Sequence, residues 1–411
     1  VTHPAEPLVL DPAGTDPHAE GARLRARGPA TPVDILGVRA WSVSDPALLK
    51  RLLTSPDVSK DARRHWPGFE EAVTHWPLAL WVAVRNMFTA YGADHARLRR
   101  IVAPAFGARR VAALRPEIEA ITGALLDELA ALPAGTVVDL RARLAHPLPI
   151  AVIGRLLGVP EEDREGFRAL VDGVFDTTLD AEAARLNTER LYALFHAFIA
   201  ARRAAPGDDM TSLLLAARDE EGDGTGLGEQ ELADTLLLMI SAGYETTVNV
   251  IDQAVTALLA HPEQLAHVRA GRAGWEDVVE ETLRHEPAVR HLPLRYAVTD
   301  IPLPDGRVIA AGEAILASYA AANRHPDWHG PTADAFDLTR PGKDHLAFGH
   351  GVHFCLGAPL ARLEVATVLR ALFDRFPGLA LAVPADELRR TPSLITNGHR
   401  TLPVTLGPPA A

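Results

Sequence analysis

At 411 residues the chain exceeds the usual size of one hydrophobic core, but no linker, repeat or low-complexity stretch divides it, and one domain spanning 1–411 is expected. A formal net charge of −12 argues against nucleic acid or an anionic membrane as a partner of the whole protein, and a single cysteine excludes an internal disulfide. The run Val1 to Pro7 has neither a basic nor an apolar leader region, and the apolar stretch Leu236 to Ile240 is too short for a bilayer, so no membrane span and a cytoplasmic location are expected.

Along the chain, Val33 to Val38 and Trp41 to Val43 read as short strands, followed by a helix from about Pro46 to Leu53. The loop before His95 is rich in large groups (Trp66, Phe69, Trp76, Leu80, Trp81, Met87 and Phe88 among them), which suits the wall of an apolar pocket. From Asp94 to about Leu283 apolar residues recur at three and four, and the pattern is mostly helical. Arg97, Arg99 and Arg100, with Arg109 and Arg110, form a basic cluster that is either a solvated face or a dock for an acidic partner.

The helix predicted from about Glu229 to Ala260 contains no proline and is apolar on every face around Leu236 to Ile240, the mark of a central buried helix. Into it come Ala242-Gly243-Tyr244-Glu245-Thr246-Thr247. A glycine inside a helix costs about 1 kcal/mol, and a buried carboxylate costs more unless it has partners. Two readings stand: a kink with an incidental acid, or a site in which Gly243 lets the helix open, the Thr246 hydroxyl donates to a bound oxygen and Glu245 relays protons. Further on, Glu281 and Arg284 lie three apart and can pair. Pro304-Asp305-Gly306 marks a turn between strand-like runs, and after Leu379 the chain is strand-like again, with Asn397-Gly398 as a hairpin-turn signal. The fold expected is mainly α with small peripheral β-sheets.

Cys355 lies in Phe348-Gly349-His350-Gly351-Val352-His353-Phe354-Cys355-Leu356-Gly357-Ala358-Pro359, just before an apolar helical segment. A lone cysteine is ordinarily a buried small hydrophobe. Here glycines allow a flat ligand to approach the backbone, the N–H groups of Leu356 and Gly357 can point at the sulfur, and a helix start lowers a thiol pKa, all of which suits a thiolate that binds iron.

Phe348, Gly351, His353, Cys355 and Gly357 together resemble the haem-ligand signature of the cytochrome P450 family, and the Ala242–Thr247 run resembles its oxygen-activating stretch; the likeness extends over nearly the whole chain. The resemblance implies the P450 fold, a long helix over a buried haem b, Cys355 as the proximal iron ligand, and O2 as co-substrate. It implies cofactor contacts at His95, Arg99, Ala242, Gly243, Arg295, Phe348, Gly349, His353 and Gly357, with His95, Arg99, Arg295 and His353 near the propionates. Glu281, Arg284 and Arg340 become a structural ion-pair set, and Glu245 and Thr246 the catalytic acid–alcohol pair. Pocket walls are expected at Ala242, Val289, Leu292, Ile395 and Thr396. With no flavin or nicotinamide segment visible, electrons are expected from a ferredoxin and its reductase. The implied activity is hydroxylation of an unactivated C–H bond in a bulky, largely apolar steroid or macrolide, with other polyketides or terpenoids as the substrate alternative. A peroxygenase or isomerase, or a non-catalytic haem protein, are the competing readings; neither needs Glu245 followed by Thr246.

Overall fold

The computed structural model describes residues 6–133, 135–219, 222 and 224–408; the start of the run Val1 to Pro7 that was read for a leader lies outside them. A 32-residue helix, Glu229–Ala260, crosses the molecule without a break. At its start the Gly228 N–H donates to the Glu231 carboxylate, occupying one of the donors a helix start leaves over. Its apolar faces pack on the helices Pro147–Leu157, Ala358–Arg375, Trp275–His285 and Ala181–Ala204.

Gly243 serves the packing of the central helix. The helix does not open there; a Cβ at residue 243 would stand 3.0 Å from Cδ1 of Ile153, so the glycine lets the helix Pro147–Leu157 come close. Thr247 spends its hydroxyl on the carbonyl of Gly243 at 3.1 Å, a back-bond that removes the need for any other buried partner.

Three sheets lie around the helices. The largest runs in the order Leu8–Val9, Ala30–Ile35, Val38–Val43, Ala314–Ser318, His291–Ala297, Val58–Ser59. Its first hairpin turns at Leu36 (φ 54°) and Gly37 (φ 90°), so the strand expected to continue to Val38 ends at Ile35 and a new one begins. The helix expected at Pro46 runs Pro46–Thr54, capped by the Asp45 carboxylate on the Leu48 N–H at 2.6 Å. Strands Ile301–Pro302 and Val308–Ile309 pair across the Pro304–Gly306 turn as read. A third sheet joins Ala380–Leu381, Pro403–Thr405 and Val137–Asp139.

Asn397-Gly398 is not a hairpin turn. Arg390 bridges His399, so the chain reverses earlier, and residues 397 and 398 lie on the returning limb. Gly398 has no left-handed φ; a Cβ there would stand 2.0 Å from Oδ1 of Asn249 and 2.8 Å from Nη1 of Arg141. Close approach to the central helix, not turn chemistry, selects the glycine.

Glu281 and Arg284 form two bonds of 2.8 Å with both side chains fully buried. Arg284 also donates to the carbonyls of Ala333 and Ala335, and Arg340 Nε stands 3.7 Å from Glu281. The three residues therefore tie the helix Trp275–His285 to the chain that leads into the cysteine loop. Among the described residues no single helix is long and apolar enough to cross a membrane.

Candidate functional site: a cysteine loop beneath the central helix

The cysteine loop is held from both ends. Cys355 N–H donates to the Phe348 carbonyl at 2.9 Å and Gly349 N–H to Leu346 at 2.8 Å. Gly349 and Gly351 have φ of 71° and 74°, a region other residues enter only under strain, and a Cβ on Gly351 would meet the Leu53 carbonyl at 2.7 Å. The helix Ala358–Arg375 then begins, with Pro359 in its first turn.

The N–H groups that face the sulfur are those of Gly357 and Ala358, one residue later than the expected Leu356 and Gly357. Cys355 keeps partial exposure, yet burial pushes its thiol upward, and those amides with Arg99 and Arg362 only partly oppose the rise. Helix start and amides lower the thiol as expected but do not by themselves offset its burial. A bound metal ion, which deprotonates a coordinating thiol outright, would supply the rest. Among the described residues no group of three or more His, Cys, Asp or Glu could hold a metal. An iron on Cys355 must take its remaining ligands from a cofactor.

Basic side chains gather near the sulfur. The His95 and His353 rings lie 4.1 Å apart between centroids, and Arg99 donates to the Phe354 carbonyl at 2.8 Å. Arg295 is buried with its Nε unsatisfied, and buried His95 leaves Nε2 unsatisfied. Burial holds the His95 imidazole down at about 4, with Arg99 and Arg295 pushing the same way. Lys60, which the sequence did not single out, is buried near them. Among the described residues no carboxylate forms an ion pair with His95, Arg99, Arg295, His353 or Lys60. Unsatisfied buried donors are rare and costly, so the site fits a flat ring that brings its own carboxylates together with a thiolate-seeking metal. Haem has those groups.

The central helix is buried along most of its length, but Leu238, Ala242 and Thr246, spaced by four on one face, keep accessible surface, as does Gly243 beside them. Thr246 donates its hydroxyl to the carbonyl of Ala242, one turn back. Glu245 is directed elsewhere, fully buried against Arg141 (3.2 Å) and the Asn249 side-chain amide (2.9 Å). Burial pushes its carboxyl up to about 7, Arg141 draws it down, and Asp172 adds to the rise. Arg141 continues to Asp252 at 3.0 Å, and Asp252 to His399 Nδ1 at 2.9 Å. A cleft of about 440 Å³ lined by Arg141, His146, Asp172, Glu245, Thr391 and Arg400 reaches this network. Arg141, Asp252 and His399 carried no sequence signal, because the segments that bring them together are more than a hundred residues apart.

Of the expected pocket walls, Val289 and Thr396 face one another in a bridge, Ile395 is buried beside them, and Leu292 is half-buried on the strand His291–Ala297. The aromatic loop is mostly structural. Trp76 donates to Ile35 at 2.9 Å and Trp81 to Val174 at 3.2 Å, while Trp66 stacks on Tyr296 at 5.4 Å. The basic cluster also divides: Arg97 pairs with Glu231, Arg100 binds Asp219 at 2.9 Å, and Arg109 and Arg110 are exposed. On the cysteine loop Val352 and Phe354 are 64% and 40% exposed.

The family model described as Cytochrome P450 matches residues 200–271 and 275–389. The chain is 43% identical over 403 residues to 2-hydroxy-5-methyl-1-naphthoate 7-hydroxylase of Streptomyces carzinostaticus, covering 97% of each chain. The structure of CYP154A1 from Streptomyces coelicolor A3(2) superposes with a TM-score of 0.94 at 70% identity, covering 97% of this chain and 100% of that one. A testosterone-bound CYP154C4 from Streptomyces sp. ATCC 11861 gives 0.94 at 42% identity, covering 99% and 100%. A 6-deoxyerythronolide B hydroxylase of Saccharopolyspora erythraea is 38% identical over 407 residues, covering 97% of this chain and 98% of that one.

Proposed function

Because this chain belongs to the cytochrome P450 family and is a P450 monooxygenase, we propose that it hydroxylates an unactivated C–H bond of a bulky, largely apolar steroid or macrolide, working in the cytoplasm as one domain over 1–411. The observation that carries the site assignment is the group of basic side chains near Cys355, with Arg295 and Lys60 buried, that forms no ion pair with a carboxylate among the described residues. Haem b on Cys355 would supply oxygen activation, the thiolate lending it electron density. His95, Arg99, Arg295 and His353 would hold its propionates by charge-assisted hydrogen bonds. Phe348, Gly349 and Gly357 would line it on the sulfur side, with Ala242 and Gly243 as further contacts from the central helix.

Thr246 presents a hydroxyl on the accessible strip, where it can donate to oxygen once it releases the Ala242 carbonyl. Glu245, held near neutrality by burial, takes protons from the Asp172 cleft and passes them inward. Ala242, Val289, Leu292, Ile395 and Thr396 form apolar walls with few polar anchors, which suits a polycyclic or macrocyclic substrate. Glu281, Arg284 and Arg340 serve fold integrity. A ferredoxin with its reductase supplies two electrons at the cysteine-loop face, where exposed Val352 and Phe354 offer an apolar contact.

The test is the ferric absorption spectrum of the purified protein titrated with steroids and macrolactones. A thiolate-haem Soret band with a saturable shift for one class supports the reading and selects between the two. A thiolate-haem band that neither class moves overturns the substrate assignment.

A further inference from the structure

We propose that Lys60 is a further cofactor-holding residue of this chain, its ammonium taking a carboxylate of the haem together with Arg295. The inference rests on the haem reading above. Lys60 is 3% exposed; Nζ donates to the Pro293 carbonyl at 3.2 Å and lies 3.7 Å from the centroid of the Phe88 ring. A carbonyl and an aromatic face solvate an ammonium, but neither carries the counter-charge that burial of a lysine demands.

The strand register explains how the lysine arrives there. Val58 pairs with Ala297 and Ser59 with Tyr296, antiparallel, and Lys60 leaves the ladder at Ser59, at the end where Arg295 precedes Tyr296. Two like charges held close together are unfavourable, and here both side chains are buried. The charge that acts on Lys60 is that of Arg295, of the same sign as its own. No carboxylate among the described residues forms an ion pair with Lys60, and Arg295 Nε is unsatisfied. A leucine or methionine would pack at position 60 without this cost. An anion held between Lys60 and Arg295 would offset that cost, and a propionate reaching toward Arg295 is an anion the proposed cofactor would bring.

The experiment uses the ferric holoenzyme of wild type, Lys60→Met, Lys60→Gln and Lys60→Arg. Haem release is followed as transfer to excess apomyoglobin, and the propionate-bending band is read by resonance Raman. The expected result is release about tenfold faster in the Met and Gln variants, the order a lost charge-assisted hydrogen bond predicts, with the band shifted and both readouts restored by Arg. Wild-type release and an unmoved band in Met and Gln variants that retain a thiolate-haem Soret overturn the assignment and leave the haem reading standing. The same result with loss only of the spin-state response to a carboxylate-bearing ligand such as a fatty acid also overturns it, giving the ammonium to a substrate acid. A wild-type protein without a thiolate-haem spectrum sinks the underlying reading instead.

Discussion

Replacing Glu245 with Gln removes a titratable group from the buried Arg141 network of the central helix while keeping its shape and one acceptor for Arg141. The native carboxyl has risen from the ordinary 4.5 to about 7, first through burial and then through Asp172, with Arg141 pulling the other way. At about 1.4 kcal/mol per pKa unit the rise corresponds to roughly 3 kcal/mol. Its sign follows from linkage. Below pH 4.5 the group is protonated folded or unfolded and costs nothing; as pH climbs the unfolded chain ionises first, and stability is lost until the folded carboxyl also ionises near pH 7.

Wild type should therefore lose about 3 kcal/mol relative to Glu245→Gln between pH 4.5 and pH 7.5. Arg141 keeps Asp252 in both proteins, and Asp252, whose carboxyl is held low by His399 and Arg141 against burial, stays ionised across this window, so both largely cancel in the comparison. The assay is urea unfolding followed by far-UV circular dichroism at half-unit pH intervals. A difference flat to within about 1 kcal/mol would show that Glu245 does not titrate near neutrality and would refute the account of its burial. In the same variant, product formation should fall by about a hundredfold, the low end for loss of a general acid, with the substrate-induced spin shift unchanged at its midpoint.

Thr246→Ala should leave nicotinamide consumption running while product falls and hydrogen peroxide rises; normal coupling in that variant removes the hydroxyl from the mechanism. Arg284→Met strands the buried Glu281 carboxylate and forfeits the bonds to Ala333 and Ala335, a loss of about 3–5 kcal/mol read from the urea midpoint, with a smaller effect for Arg340→Met, whose Nε is 3.7 Å from Glu281. Gly398→Ala should lower stability by about 1–3 kcal/mol, because its Cβ would overlap Oδ1 of Asn249 at 2.0 Å; a wild-type melting temperature would mean that the returning limb shifts freely.

What could be read from the chain alone was the part with a local cause. The central helix declares itself by apolar residues on every face and an absence of proline, and its bounds at Glu229 and Ala260 agree with the reading. The cysteine loop declares itself by residue types at short spacing. Gly243 and Gly398 misled for one reason: a glycine signals either backbone conformation or close approach, and only the neighbouring element tells which. Ile153 and Asn249 are those neighbours, each far along the chain from the glycine it touches. Lys60, Arg141 and His399 escaped for the same reason, since the meaning of a buried charge depends on what it faces.

The positions of Glu245 and Thr246 bear on how the pair can act. Consecutive helix residues point about 100° apart, so neighbours in sequence cannot share a face. Thr246 lies on the accessible strip and Glu245 on the Arg141 side. On the relay role proposed for the pair, a proton taken up at the Asp172 cleft would have to pass round the helix, through water or through a turn of the Glu245 side chain. Either route is easier for a neutral carboxyl, which Arg141 holds less firmly than a carboxylate. Burial that carries Glu245 to about 7 makes that neutral form available at neutral pH, and Arg141 keeps the ionised form from straying. The ion pair and the raised pKa are then two halves of one device. Lowering the pKa alone would fix the side chain against Arg141, and removing Arg141 alone would leave the carboxyl protonated and slow to give up its proton.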